Sequence, residues 1–135
     1  MNLFKSIFGL PEGAPGQENT AFPWVSLSSI TELDLLEEGR TVRPQVLFKH
    51  STSCGLSRMM LRRFEGRWGK AREHMDFYFV DLIVFRELSD EIAHRYEVPH
   101  RSPQLLILDK CGVRRHASHG EIAFLGPEDI LENPA

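Results

Sequence analysis

Residues 51–57 read STSCGLS, one cysteine among hydroxyl side chains with a glycine behind it. A cysteine does disulfide chemistry as the thiolate, so it needs surroundings that favour negative charge. Cys54 follows a short apolar run, PQVLFKH over 44–50, and precedes Leu56, Met59, Met60 and Phe64 at helical spacing. It therefore falls where a strand hands over to a helix N-terminus, whose unpaired N–H groups and dipole stabilise an anion. Gly55 removes side-chain bulk beside the sulfur and lets a second sulfur approach. Thiol-redox sites commonly pair two cysteines as Cys-x-x-Cys, but here the fourth place holds Ser57. One turn on, Ser57 can hydrogen-bond Cys54 but cannot close an internal disulfide. Cys-x-x-Ser alone leaves two readings open: a one-thiol reaction site, or a small buried hydrophobe at a helix start.

A second stretch bears on that choice. VPHRSPQLLIL, residues 98–108, carries Ser102-Pro103 into an apolar run. Cis peptide bonds are almost confined to X-Pro, whereas a trans-proline is tolerated at the start of an edge strand. In thioredoxin-like folds a cis-proline occupies this place, against the reactive sulfur. The residue before it there offers backbone groups to an extended thiol substrate.

The elements that must position these residues follow from pattern. Ser28 or Ser29 can cap a helix over ITELDLLEEG, with Ile30, Leu33 and Leu36 inward and Gly39 stopping it. PQVLFKH reads as a buried strand, and the cysteine helix after it is expected to stop at Gly66. DFYFVDL (76–82) is a second strand, and Ser89 caps a helix through Tyr96 with Ile92, Ala93 and Tyr96 inward. QLLILD is a third strand, and the Asp109–Gly112 turn leads into VRRHAS as a hairpin partner. Gly126-Pro127 opens a last helix over PEDILE. The order α-β-α-β-α-β-β-α gives an α/β domain, a central mixed four-stranded sheet flanked by helices on both faces. Residues 1–23 are expected to be a flexible segment: Leu3, Phe4, Ile7 and Phe8 share one helical face, and PEGAPGQENTAFP reads as a linker. The domain then spans 24–135.

The chain has 135 residues, 41% hydrophobic and 26% charged, which is the composition of one soluble globular domain. A net charge of −3, with basic and acidic residues interleaved, argues against nucleic acid or an anionic membrane held by bulk charge. No apolar run is long enough to span a bilayer, and the start lacks the features of a secretory signal. Two cysteines without such a signal point to free thiols in a reducing compartment, and the cytoplasm is expected. No His or Cys pair has zinc-like spacing, so no metal is expected.

FKHSTSCGLS (48–57), VDLIVFRELS (80–89), VPHRSPQLLI (98–107) and HASHGEI (116–122), in that order and spacing, resemble the YtxJ-type monothiol bacilliredoxins of the bacillithiol system. The resemblance covers about residues 24–123 and implies a thioredoxin-like fold with a cis-proline before the third core strand. It makes Cys54 the nucleophile, Ser57 the serine of the family's Thr-Cys-Pro-Ile-Ser motif, and Ser102-Pro103 the cis pair. Thr52 and Gly55 flank the sulfur on the substrate side. Gly55 departs from the family, replacing the proline that commonly follows the cysteine, with Ser53 before it. The implied activity is removal of bacillithiol from S-bacillithiolated protein cysteines. Its partners would be S-thiolated client proteins, with bacillithiol or another low-molecular-weight thiol as co-substrate and no tightly bound cofactor. Such a thiol, or a reductase, must then regenerate Cys54.

His50, Arg86, His100, Arg101 and His119 fall at strand ends or loops on the same expected edge. A cation there can pair with the malate carboxylates of bacillithiol, and His50 or an arginine would favour the thiolate. Cys111 lies in the 109–112 turn, at the far end of a strand that begins beside Pro103. At about 3.3 Å per residue that is some 20 Å from the site, beyond disulfide reach. Two other functions fit the same residues: a thioredoxin-fold binding module without turnover, or a redox sensor forming sulfenic acid on Cys54.

Overall fold

The computed structural model describes residues 21–131. The expected N-terminal helix and most of the expected linker lie outside them. In chain order the elements are β1 (Trp24–Ser26), α1 (Ile30–Gly39), β2 (Gln45–His50), α2 (Gly55–Trp68), a short 3-10 turn (Gly69–Ala71), β3 (Asp76–Asp81) and α3 (Arg86–Tyr96). There follow β4 (Gln104–Asp109), β5 (Gly112–Ser118), a second 3-10 segment (His119–Phe124) and α4 (Glu128–Leu131).

Every residue of β2 is buried, yet successive side chains of a strand point to opposite faces. Val46 and Phe48 enter one apolar cluster and Leu47 the other, so β2 needs a helical layer on both sides. On one side Leu33 and Leu36 of α1 and Leu88 and Ile92 of α3 pack on Leu47, Tyr78, Val80 and Leu106. On the other, Met60, Phe64 and Trp68 of α2 cover Val46, Phe48, Phe77 and Leu105. Phe64 stacks on Trp68 with ring centroids 5.0 Å apart. Phe22, which the sequence leaves in the linker, packs its ring on Trp24, Phe64 and Phe77.

Among the described residues the sheet has five strands in the order β1-β3-β2-β4-β5, not the four expected. β1, β3 and β2 run parallel, and β4 is antiparallel to β2. β5 continues the sheet antiparallel to β4. The extra strand is three residues long, Trp24–Ser26, too short to show a period of its own. It exists because Phe77–Phe79 of β3 offer it a parallel partner.

Three helix boundaries or faces also differ from expectation. α2 runs through Gly66 to Trp68, and its buried face is Ser57, Met60, Phe64 and Trp68; Leu56 and Met59 point out, 38% and 43% exposed. α3 begins at Arg86 with Phe85 as its N-cap, so Ser89 is a buried residue within the helix and not its cap. At α1 the cap is as expected, with Ser29 Oγ accepting from the Glu32 N–H, but Ile30 is exposed.

Candidate active site

Lys49 of β2 pairs with Gln104 of β4, which brings the C-terminal end of one strand to the N-terminal end of the other. Cys54 lies four residues past His50, and Pro103 immediately before Gln104. The cysteine loop and the Ser102–Pro103 peptide, which is cis, thus share one edge of the sheet. The Pro103 carbonyl accepts the N–H of His119, 2.9 Å away, so the end of β5 fastens this segment. His119 takes a positive φ of 56° to do so.

Cys54 is the N-cap residue of α2, in extended backbone (φ −109°, ψ 121°), and its side chain makes no capping hydrogen bond. Its N–H donates to the Ser51 carbonyl and its own carbonyl accepts from Arg58 N–H, each at 3.2 Å. The half-buried sulfur is therefore not spent on capping. The N–H groups of the first turn lack acceptors within the helix, and no acidic residue stands in that turn. Both conditions leave the positive end of the helix dipole beside the sulfur without a neutralising side chain.

Ser57 is fully buried and turned inward. Its hydroxyl oxygen accepts from the Ser51 N–H at 3.0 Å and lies 2.7 Å from His50 Nδ1. The hydroxyl expected to serve Cys54 instead pins the loop that carries it. His50, expected as a rim cation, is only 4% exposed. Burial pushes its pKa down, the Asp81 carboxylate partly offsets this, and the Arg58 guanidinium adds to the lowering. The ring is neutral at pH 7 and belongs to the interior.

Sequence reasoning missed Lys49. It is fully buried on the α1/α3 face, one residue from His50 and on the opposite side of the sheet. Its Nζ lies 3.4 Å from His100 Nδ1, which is also 3.4 Å from Ser89 Oγ. Burial lowers the Lys49 pKa to about 8, against the pull of Asp90. His100 is likewise held down, by burial and then by Lys49, so it too is neutral at pH 7. The available signal was the lysine itself, an ionisable residue inside an otherwise apolar run.

Four other expected residues remain at the surface. Thr52 is exposed, and its carbonyl accepts from Arg58 Nη1 at 2.7 Å. Arg101 is exposed and donates to the His100 carbonyl at 2.8 Å. Arg86 lines a groove of about 590 Å³ between the starts of α1 and α3, with Ser28, Thr31 and Val84. Gly55 is exposed, and a Cβ there would meet only Arg58 Nη2, at 3.8 Å. Space does not require a glycine at that position. Cys111 lies in the turn at the other end of β4, exposed, its N–H on Asp109 Oδ1 at 2.8 Å. Among the described residues no three of His, Cys, Asp and Glu cluster as a metal site, and no helix is long and apolar enough to cross a membrane.

Comparisons with known proteins agree with this geometry. A solved structure described as a candidate oxidoreductase with a thioredoxin fold is 29% identical, with a TM-score of 0.65 over 74% of this chain and 86% of that one. Thioredoxin from Trypanosoma brucei brucei superposes with a TM-score of 0.64 at 17% identity, over 84% of this chain and 96% of that one. Thioredoxin NaTrxh from Nicotiana alata does so at 0.64 and 18% identity, over 82% and 91%. These two likenesses establish the fold, which is thioredoxin-like. The family model for the monothiol bacilliredoxin BrxC matches residues 25–125, a span that holds Cys54, Ser57 and the cis-proline. One free cysteine at a helix start, a cis-proline on the same edge and this match lead to one conclusion: the chain belongs to the monothiol bacilliredoxin BrxC family, and its chemistry is thiol redox chemistry with thiol- or disulfide-bearing partners.

Proposed function

We propose that the protein reduces mixed disulfides between bacillithiol and client-protein cysteines, using Cys54 alone. The observation that carries this is the position of Ser57. The place of a resolving thiol is filled by a hydroxyl locked onto His50 and Ser51. In the forward step the Cys54 thiolate attacks the bacillithiol sulfur. A new Cys54–bacillithiol disulfide forms, the client disulfide breaks, and the client sulfur leaves as a thiolate that takes a proton from water. No electrons are gained or lost overall, since one disulfide replaces another. A second thiolate, from a low-molecular-weight thiol or a reductase, then attacks the bacillithiol sulfur and frees Cys54.

The exposed Arg86 and Arg101 guanidiniums and the exposed His119 ring, on or near this edge, are the groups left to hydrogen-bond the malate carboxylates. His50 and His100, both neutral, act instead on the loops that frame the site. Thr52, Gly55 and Ser102 supply the surface on which the client chain lies, with backbone rather than side-chain recognition beside Pro103.

The test is a single-turnover reaction with an S-bacillithiolated client peptide, followed by intact mass. The expected products are Cys54 carrying one bacillithiol and one equivalent of free client thiol. Cys54→Ser should abolish both. Turnover retained in that variant, or a Cys54–client disulfide with bacillithiol released as the free thiol, would overturn the proposal.

A further inference from the structure

The solvent face of α2 carries an arrangement that neither the fold nor the reaction needs. Arg58, Arg62, Arg63 and Arg67 are all exposed. They form two rows at i, i+4, Arg58 with Arg62 and Arg63 with Arg67, and like charges at that spacing repel and weaken a helix. The one acid within α2, Glu65, is turned aside to accept from Trp24 Nε1 at 2.7 Å. Arg67 is relieved by Glu128 at 3.0 Å, and Arg58 donates to the Thr52 carbonyl. Arg62 and Arg63 have no acidic partner among the described residues. This is not the reflection of a basic chain, because the net charge is −3. Basic residues that look interleaved in the sequence are gathered by the helix into one strip. Met59, 43% exposed, stands between the rows near the end that starts at Cys54.

We infer that this strip docks an acidic segment of the client polypeptide, the same chain whose disulfide Cys54 attacks; this rests on the proposed function. Charge and position both select the occupant. A helix rises about 1.5 Å per residue, so Arg62 and Arg63 lie roughly 12–14 Å along the axis from Cys54. An extended chain covers that distance in about four residues. The client should therefore carry Asp or Glu about two to four residues from its modified cysteine, the nearer one opposite Arg58. Such pairing steers encounter and fixes the client's direction along the strip, and its contribution is sensitive to salt.

The test uses two fluorescein-labelled dodecapeptides with a central Ser in place of the cysteine, one with Asp and Glu at the two to four flanking positions, the other with Asn and Gln. Anisotropy titration of the full chain at low salt should show the acidic peptide binding about tenfold more tightly. That advantage should vanish at high salt and in the Arg62→Glu/Arg63→Glu variant, and shrink in Arg62→Gln/Arg63→Gln. Arg115→Glu, on β5, should leave it intact. Equal binding of the two peptides, or a preference indifferent to the α2 variants, would overturn the inference, as would tighter binding of a dodecathymidylate than of the acidic peptide. The matching cysteine peptides, as mixed disulfides with 2-mercaptoethanol, give the second readout. If the acidic peptide binds as expected but Cys54 attacks neither disulfide, the docking strip stands and the proposed chemistry falls. If Cys54 attacks both at one rate and neither binds better, the chemistry stands and the strip falls.

Discussion

Lys49 and His50 are adjacent in sequence, ionisable, buried, and separated by the thickness of the sheet. Each has a depressed pKa for the same first reason, loss of water. For Lys49 the folded value is about 8 against 10.5 for the free side chain. The unfolded chain therefore binds this proton more tightly, and the fold carries the full cost of burying the ammonium below pH 8. That cost falls away as pH rises from about 8 to 10.5. It is on the order of 3 kcal/mol at neutral pH. Lys49→Met keeps the volume and removes the charge, so it should stabilise the protein by about 1–3 kcal/mol at pH 7. The gain should shrink steadily in urea unfolding series at pH 7, 8.5 and 10. A gain that does not change with pH would show that packing, not the ammonium, is responsible. The sequence displays Lys49 as one charge in an apolar run, but its neighbour is His100 and the carboxylate that pulls on it is Asp90. Which residues face one another across a sheet and a helix is a tertiary fact that spacing along the chain does not contain.

At the scale of the element, α2 combines what was legible with what was not. The switch from an apolar run to helical spacing located its start to within a residue, because cap and period are local signals. Its inner face is half as expected: Met60 and Phe64 face in, whereas Leu56 and Met59 face out and Ser57 faces in. The phase is fixed by Phe64 and Trp68 packing on the sheet and by the Ser57–His50 bond, none of which is local. The same packing carries the helix past Gly66, because burial of Trp68 outweighs the entropic preference of glycine for ending a helix. Serine favours caps, which makes Ser89 a cap by sequence, but in α3 its hydroxyl lies against His100. The start of α2 yields a prediction. Gly55 is the first helical residue, where proline is well tolerated, and Cys54 before it already has the extended backbone that proline requires of its predecessor. Nothing but the end of Arg58 lies near a side chain there. Gly55→Pro should raise stability by about 0.4–1 kcal/mol by restricting the unfolded chain, read as a higher midpoint in thermal melts. A drop in midpoint would mean that the Gly55 N–H has a partner worth more than this entropy.

At the scale of the molecule, the sheet separates its two thiols. Cys54 sits at the edge where β2 ends and β4 begins, and Cys111 sits in the turn where β4 ends. The strand between spans roughly 17 Å at about 3.3 Å per residue. Cys111→Ser should therefore leave the single-turnover rate of Cys54 unchanged, measured by release of client thiol under the same conditions. A loss of more than about threefold would require the two sulfurs to meet, which no disulfide geometry allows at this spacing. The α/β class and the order of the long elements are legible because each rests on a local pattern. The cis-proline is legible only through the resemblance, since a proline by itself also suits a trans edge strand. The fifth strand is not legible, because Trp24–Ser26 acquires its conformation only from β3. The far side of the sheet carries a different consequence. Among the described residues β5 pairs only with β4, so its outer edge keeps unpaired backbone groups, a template on which a second copy could grow a strand. Arg115 and His116 are exposed along it. Two copies meeting edge to edge would set Arg115 near its own counterpart, and like charges across paired strands repel. The sheet is thereby protected at this edge from extending into an intermolecular one.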